Sequence, residues 1–456
     1  MERRTELLSG WGRTAPTASE VWRPASAEEL RHGLRQGFDR SDRDRGVLAR
    51  GLGRSYGDVA QNAGGRVLDA TAVSGLRSID LQTGLAVVEA GTSLDALMRW
   101  LVPLGWFVPV SPGTRYVTVG GAIANDIHGK NHHTAGSWCN HVRSLTMVTP
   151  ANGVITVTRE DDPDLFWATV GGLGLTGVIL DATIAMTPIE SASLSVDTDR
   201  TADLDEVMAL MEAGDDRYPY SVAWIDVMAR GRALGRAILD RGRFAAVDQL
   251  PDSRRAAPLA YRGDIRVNAP AVVPPRLVNP LTVRAFNAAW YHKAPRRRRG
   301  HLFTIPAFFH PLDGVGQWNR LYGRAGFIQW QFVVPFGAEE TLRRIVIGLS
   351  QARCPSAVNV LKRFGPGNAG HLSFPLPGWT LTVDLPVGDP DFGPILDRLD
   401  TDVAEAGGRI YLAKDARMRP ELLATTYPRL DEWRQVRAKV DPSGVLQSDL
   451  SRRLGL

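Results

Sequence analysis

The chain has 456 residues, more than one hydrophobic core ordinarily serves, so two domains are expected. With 44% hydrophobic and 23% charged residues it reads as globular, and 54 basic against 49 acidic residues is a mild, evenly spread excess. That excess is as compatible with an anionic phosphate ligand or an acidic membrane surface as with a polyanion. Two cysteines, Cys139 and Cys354, without a CxxC or a histidine at metal spacing, support neither a disulfide framework nor a zinc site. The opening Met1-Glu2-Arg3-Arg4-Thr5-Glu6 lacks the apolar stretch of a signal peptide, and no run of about 18 apolar residues follows, so a chain made in soluble form is expected.

Residues 46–49 read as a strand entering the run Ala49-Arg50-Gly51-Leu52-Gly53-Arg54-Ser55-Tyr56-Gly57-Asp58, and 65–69 as a strand leaving it. Glycines there let a backbone turn tightly and present amides to phosphate, although ordinary turns use the same residues. Residues 85–91 read as a buried strand, followed by a helix capped by Thr92 or Ser93 that carries Leu94, Leu97, Met98 and Leu101 at helical spacing and ends at Pro103 and Gly105. A second apolar strand at 106–110 leads through the turn Ser111-Pro112-Gly113-Thr114 into 117–129. Asn152-Gly153 between apolar flanks predicts a hairpin, 164–170 a short helix, and 177–184 a returning strand that closes a first unit near residue 190.

Leu204, Val207, Met208 and Met211 then have helical spacing, and 220–227, 327–334 and 380–385 are strand-like, which predicts an α+β second domain. Between 262 and 299 the chain changes character: Pro270, Pro274, Pro275 and Pro280 precede the run Arg296-Arg297-Arg298-Arg299, so a mobile basic insertion is expected. Within it, Leu277, Leu281, Phe286, Ala289 and Trp290 can form one apolar helical face beside Arg276, Arg284 and Lys293, suited either to a membrane interface or to a core-facing turn in a solvated loop. The tail reads as a strand over 409–413, then Lys414-Asp415, then an amphipathic helix over 431–440.

The glycine run is not a dinucleotide fingerprint of the Rossmann type: a third glycine is out of register, no good helix follows, and no acidic residue ends a second strand at the proper distance. Taken with Val88-Glu89-Ala90-Gly91, Ser111-Pro112-Gly113-Thr114 and Thr118-Val119-Gly120-Gly121-Ala122, it resembles the FAD-binding domain of the vanillyl-alcohol oxidase and p-cresol methylhydroxylase superfamily. That resemblance implies an α+β, two-domain flavoprotein, with residues 1–190 and 408–456 holding FAD and 191–407, an antiparallel-sheet domain, binding substrate. The first loop and the turn at 118–122 would then surround the pyrophosphate with backbone amides.

More narrowly, Asp126-Ile127-His128-Gly129-Lys130, Gln329-Trp330-Gln331-Phe332, Asn359-Val360-Leu361-Lys362 and Ala413-Lys414-Asp415 resemble the family of decaprenylphosphoryl-β-D-ribose 2′-oxidases, over nearly the whole chain. The resemblance implies that Lys414, with Tyr56 and Lys130, hydrogen-bonds the reacting hydroxyl and stabilises developing negative charge. It implies substrate contacts from His128, Lys130, Trp224, Gln331, Lys362, Thr382 and Lys414, with Lys362 suited to phosphate. FAD contacts are expected from residues 49 to 58 and from Gly113, Thr118, Val119, Gly120, Gly121, Asn125, Asp126, Ile127, His128, Ile179 and Tyr411.

His128 occupies a position that carries a covalent flavin link in part of the superfamily, but the narrower resemblance implies non-covalent FAD. His128, His132 and His133 have spacing seen in metal loops without a carboxylate or cysteine partner, and no metal is expected. Thr382 stands where some members carry a cysteine attacked by nitroaromatic inhibitors, and a hydroxyl lacks thiolate nucleophilicity. Asn125 and His310 also depart from the family pattern.

The implied partners are a polyprenylphosphoryl-ribose, an NADH-dependent short-chain reductase that completes an epimerisation, a quinone or other electron acceptor, and the membrane of the cell envelope; nucleic acid is not among them. The rivals are an aldonolactone or alditol oxidase acting on a soluble sugar, and a non-catalytic basic protein using the arginines at 296–299.

Overall fold

Short apolar runs separated by glycine and proline turns build the sheets of the computed structural model, which describes residues 2–38, 45–265, 267–274, 277–388 and 392–456. Pro275 and Arg276 lie outside the described residues. Strands Glu2–Leu8 and Thr17–Arg23 pair antiparallel, and Thr17–Arg23, Arg66–Asp69 and Val47–Arg50 continue side by side in parallel as a four-stranded sheet. Parallel neighbours need a crossover. Helix Ala27–Phe38 supplies it, with Leu30 and Leu34 buried.

A five-stranded antiparallel sheet follows, in the order Leu76–Ile79, Leu85–Glu89, Val178–Ala185, Val142–Thr149 and Gly153–Thr158. The hairpin at Asn152-Gly153 forms as expected, with Gly153 at φ +67°. Ser93 accepts from the Ala96 amide to cap helix Leu94–Leu101, in which Leu94, Leu97, Met98 and Leu101 are all buried. Two expectations change here. Only Trp106–Phe107 of the second apolar segment is a strand, and 118–122 is no turn: Thr118 caps the helix Val119–Ala124.

The third sheet is antiparallel and eight-stranded, in the order Arg297–Thr304, Ser193–Thr201, Ala237–Phe244, Tyr220–Ile225, Asn359–Phe364, Gly378–Pro386, Phe327–Pro335 and Arg409–Ile410. Trp330, Phe332, Leu361, Leu381 and Val383 are buried on one face, where helices Glu339–Gln351 and Phe392–Glu405 pack against its strands. The expected strand at 409–413 stops at Ile410, because the Lys414 amide turns back to the Tyr411 carbonyl.

The segment expected to be a mobile insertion is built differently in its second half. Asn279 and Pro280 start a helix, Pro280–Lys293, and Arg297, Arg298 and Arg299 belong to the edge strand Arg297–Thr304. Pairing with Ser193–Thr201 fixes that strand, and Arg299 donates to Asp199 at 2.6 Å. Beyond Tyr411 the tail returns to the first unit: Trp433 donates to the Ala168 carbonyl at 3.0 Å, and Leu446 bridges to Val47.

Candidate active site

The glycine run forms a loop pressed between three neighbours. A Cβ on Gly51 would lie 2.3 Å from Thr118 Oγ1, and one on Gly57 would lie 1.8 Å from the Asp415 carbonyl oxygen. Only glycine fits at such contacts. The loop's edge is pinned by the amide of Trp11 on the Ser55 carbonyl at 2.7 Å and by the Tyr56 amide on the Ala413 carbonyl at 3.2 Å. The amides of Leu52, Gly53, Arg54 and Ser55 donate to no protein acceptor among the described residues. A run of unclaimed amides flanked by glycine is a nest for an anion, so the loop fits the pyrophosphate of FAD.

The second wall works otherwise than expected. The amides of Val119, Gly120 and Gly121 are already given to the Thr92 carbonyl, the Ala90 carbonyl and Thr118 Oγ1. Their contribution to a cofactor is therefore closeness, not donation: a Cβ on Gly120 would meet Ala90 Cβ at 3.1 Å. Gly113 is exposed, and a Cβ added there would meet no atom within 4 Å, which leaves open space at the mouth of the turn.

Side chains of the loop mostly serve the frame. Arg50 donates to the carbonyls of Ala60 and Ser9, and Arg54 lies 3.8 Å from the Trp11 ring centroid. Asp58 accepts two hydrogen bonds from Arg453, which also donates to Asp415 at 2.9 Å. Arg453 thus ties the glycine loop to the turn bearing Lys414.

Asp126, expected at the cofactor, has its carboxylate filled by Ser137, Cys139, Asn368 and Ser373, so it staples loops together. Asn125 donates to the Gly121 carbonyl, and its Oδ1 is buried without a partner among the described residues. Tyr411 donates to the Asn125 carbonyl at 2.9 Å. Ile127 and Ile179 are buried apolar residues on the same first unit.

Opposite the loop stands the second face of the eight-stranded sheet. Register sets Gln329 across from Asp384, Gln331 across from Thr382, and Lys362 across from Thr380. Because side chains alternate along a strand, these six share one face, and all are buried. A buried sheet face made of Gln, Thr, Asp and Lys carries heavy desolvation, which is sustained only where hydrogen bonds or a ligand answer it.

Part of the answer is internal. Gln331 lies 2.9 Å from His128 Nε2 and donates to Thr380 Oγ1 at 3.0 Å, and Gln329 donates to Asp384 at 2.5 Å. The remainder is unanswered: Gln331 Oε1 and His128 Nδ1 are buried with no partner among the described residues. His128 is boxed by the rings of Phe364, Phe374 and Tyr411.

Three lysines converge on this face. Lys130 donates to the Phe308 carbonyl and lies 4.3 Å from the Phe308 ring centroid. Lys414 lies 5.6 Å from the Tyr56 ring centroid. Burial, then the charges of Lys414 and Lys130, drives Lys362 well below the usual lysine range. Burial brings Lys130 down to about 8. Burial, with Lys362 and Lys414 adding to it, also holds His128 neutral. An anion would relieve all of these at once.

Lys414 and Asp384 act on each other: burial lowers the lysine and the Asp384 charge opposes that, while burial raises the carboxyl and the Gln329 hydrogen bond and the Lys414 charge oppose it. Burial and the Asp384 charge also push the Tyr56 hydroxyl well up, so it stays protonated and can donate. The consequence is a lysine able to exchange a proton near neutral pH. Asp384→Asn removes the negative charge that favours protonated Lys414, so the amine loses its proton at lower pH. The rising limb of the pH profile for flavin reduction is expected to move down by about one unit, measured by stopped-flow bleaching; an unmoved limb would separate Asp384 from Lys414.

Of the expected substrate residues, His128, Gln331, Lys362 and Thr382 come together with Lys130 and Lys414. Trp224 stands on the strand next to that of Lys362, across from Val360 and so on the same face, with its Nε1 spent on the Ala357 carbonyl at 2.9 Å. His132 and His133 spend ring nitrogens on the Gly365 amide and the Tyr218 carbonyl. His310 contacts Ser111 at 2.7 Å, while Asp313 accepts from Thr114 and from the Arg115 amide, so the departure at 310 lies where the 111–114 turn docks. Asp384, Gln329 and Thr380 were not singled out from sequence. Their signal was present as strict alternation in 329–332 and 380–385, polar on one side of strands that the apolar side marks as buried.

Residues 18–159 match the family model described as FAD binding domain, and 389–454 match that of D-arabinono-1,4-lactone oxidase. The amide nest and the polar face behind it therefore belong to a FAD-dependent oxidoreductase. The chain is 47% identical over 455 residues to decaprenylphosphoryl-β-D-ribose oxidase of Mycolicibacterium smegmatis, covering 99% of this chain and 98% of that protein. It is 43% identical over 374 residues to an uncharacterized protein in the mprA 5′ region of Streptomyces coelicolor, covering 80% of this chain and all of that protein (100%). Cytokinin dehydrogenase 5 of Oryza sativa subsp. japonica is 32% identical over 204 residues, 41% of this chain and 37% of that protein. The chain belongs to the family of decaprenylphosphoryl-β-D-ribose oxidases.

Proposed function

We propose that this protein oxidises the C2′ hydroxyl of a polyprenylphosphoryl-β-D-ribose to the 2′-keto sugar, the first half of an epimerisation that yields an arabinose donor for cell-wall arabinan. The observation that carries the reading is the buried polar sheet face with Lys130, Lys362 and Lys414 gathered at it. A sugar with a phosphate answers both its hydrogen-bonding groups and its charge. Bound FAD supplies the two-electron acceptor for the hydride from C2′. Residues 1–190 and 408–456 hold the cofactor, and 191–407 bring the sugar to it.

Lys414 accepts the hydroxyl proton and Tyr56 donates to the oxygen as charge develops. Lys362 serves the phosphate as a point charge. His128 Nδ1 and Gln331 Oε1, the orphaned donor and acceptor, orient the remaining sugar hydroxyls.

An NADH-dependent short-chain reductase would return the 2′-keto sugar to the epimeric alcohol, and a quinone or other acceptor would take the electrons. The site of action is the membrane of the cell envelope. The match to D-arabinono-1,4-lactone oxidase is confined to 389–454, the last helix of the middle segment and the tail, and a lactone has no phosphate to meet the lysines. The test is anaerobic mixing with a short-chain polyprenylphosphoryl-ribose and, separately, with free alditols and aldonolactones. Bleaching by the phosphosugar alone is expected, and bleaching by the soluble sugars alone would overturn the substrate assignment.

FAD is held without a covalent bond in this reading, since the His128 ring is locked by Gln331 and three aromatic neighbours. Acid precipitation should leave the yellow colour in the supernatant; colour in the pellet would show a covalent link.

A further inference from the structure

Helix Pro280–Lys293 exposes more apolar surface than its attachment uses. Val283 and Asn287 are its buried residues, whereas Leu281 is 81% exposed, Phe286 50% and Trp290 45%. At about 100° per residue, positions 281, 285, 286, 289 and 290 share one half of the helix circumference; 285 and 289 are alanines, and the half also holds Thr282, whose hydroxyl donates to the Leu277 carbonyl, with His292 and Lys293 at its end. Phe286 and Trp290 lie nearly parallel, 6.2 Å apart, and Lys293 lies 5.9 Å from the Trp290 ring centroid.

The helix is firmly anchored beneath this arc. Asn287 donates to Asp226 and to the Ser356 carbonyl, Tyr291 donates to the Thr201 carbonyl, and Arg200 donates to three carbonyls at the helix end. Its surroundings are basic: Arg284, Lys293, Arg296, Arg297 and Arg298 are exposed, Arg297 only grazing Asp199 at 3.9 Å, while Arg299 is taken by Asp199 and Asp197. A rigid apolar arc rimmed by exposed cations fits the boundary between acyl chains and anionic headgroups.

We propose that this face seats the enzyme on an anionic lipid leaflet, with Leu281, Phe286 and Trp290 entering the acyl boundary and the five cations on the headgroups. The proposal rests on the reading that the substrate is polyprenyl-linked, which makes a bilayer the place where it is met.

The test sediments the full FAD-loaded chain with vesicles of phosphatidylcholine alone and of phosphatidylcholine mixed with phosphatidylglycerol. Binding to the mixed vesicles, weakened by salt, is expected. The double variant Phe286→Ser/Trp290→Ser should bind at least about tenfold more weakly, and Arg297→Glu/Arg298→Glu, off the helix, should weaken binding likewise. Both should keep the wild-type flavin spectrum and bleach normally with a water-soluble short-chain polyprenylphosphoryl-ribose.

Undiminished sedimentation of both variants, or no sedimentation of the wild type, overturns the surface. So does loss of a protein partner in the variants while vesicle binding persists. If the wild type binds vesicles but no phosphosugar bleaches it, the substrate reading fails and the surface stands.

Discussion

Lys414→Ala is expected to retain FAD and to lose turnover by about 10²–10⁴-fold, the range typical of a positioned proton acceptor. The cofactor loop owes nothing to the lysine side chain: Tyr56 is held through the Ala413 carbonyl, and Asp58 and Asp415 through Arg453. What the ammonium side chain supplies is a proton site that burial has made labile, next to Asp384 and Tyr56. Truncation leaves Asp384, whose carboxyl burial already favours in its neutral form, so the fold should tolerate the loss. The readouts are flavin absorbance of the purified variant and single-turnover bleaching under anaerobic conditions. Normal bleaching would remove Lys414 from the chemistry, and loss of flavin would make it a structural residue.

Gly57→Ala is expected to cost the FAD site outright. The added methyl would lie 1.8 Å from the Asp415 carbonyl oxygen, a backbone atom in the turn that carries Lys414. Neither side yields easily: the Asp415 carboxylate accepts from the Arg417 and Met418 amides and from Arg453. The loop must move away from the turn, which spreads the amides of residues 52–55 from their common focus. Overpacking of this kind costs roughly 1–3 kcal/mol in stability, and the variant should purify with less than about a tenth of its flavin, since 1.4 kcal/mol is tenfold in affinity. Thermal unfolding and the ratio of flavin to protein absorbance measure both. A variant as yellow and as stable as the wild type would show that the loop does not depend on this contact.

Local patterns carried the first unit well. The apolar spacing of Leu94, Leu97, Met98 and Leu101, the turn at Asn152-Gly153 and the glycines at 51, 53 and 57 each act over a few residues, so the elements they define are visible in the chain. Four strands of the eight-stranded sheet, Ser193–Thr201, Ala237–Phe244, Asn359–Phe364 and Arg297–Thr304, were not. Their identity is fixed by distant partners. Arg297, Arg298 and Arg299 read as a solvated run because nothing local reveals that Asp199 and Asp197 wait on the neighbouring strand.

The site was legible in its residues more than in its geometry. Lys414, Lys362, Gln331 and His128 were named, but that Asp384 acts on Lys414 follows only from the folded chain, where Asp384 shares the buried polar face with Gln331 and Lys362. The spent amides of Val119 and Gly120 likewise depend on the carbonyls of Thr92 and Ala90, a pairing across some 27 to 30 residues that the motifs holding them do not reveal.

The most direct test of the central claim uses polyprenylphosphoryl-β-D-ribose carrying deuterium at C2′. Mixed anaerobically with the FAD-loaded enzyme, it should bleach the flavin band several-fold more slowly than the unlabelled sugar, while deuterium at C3′ should leave the rate unchanged. Equal rates with C2′ label and a slowed rate with C3′ label, or no bleaching by any of the three, would contradict hydride removal from C2′ at this site.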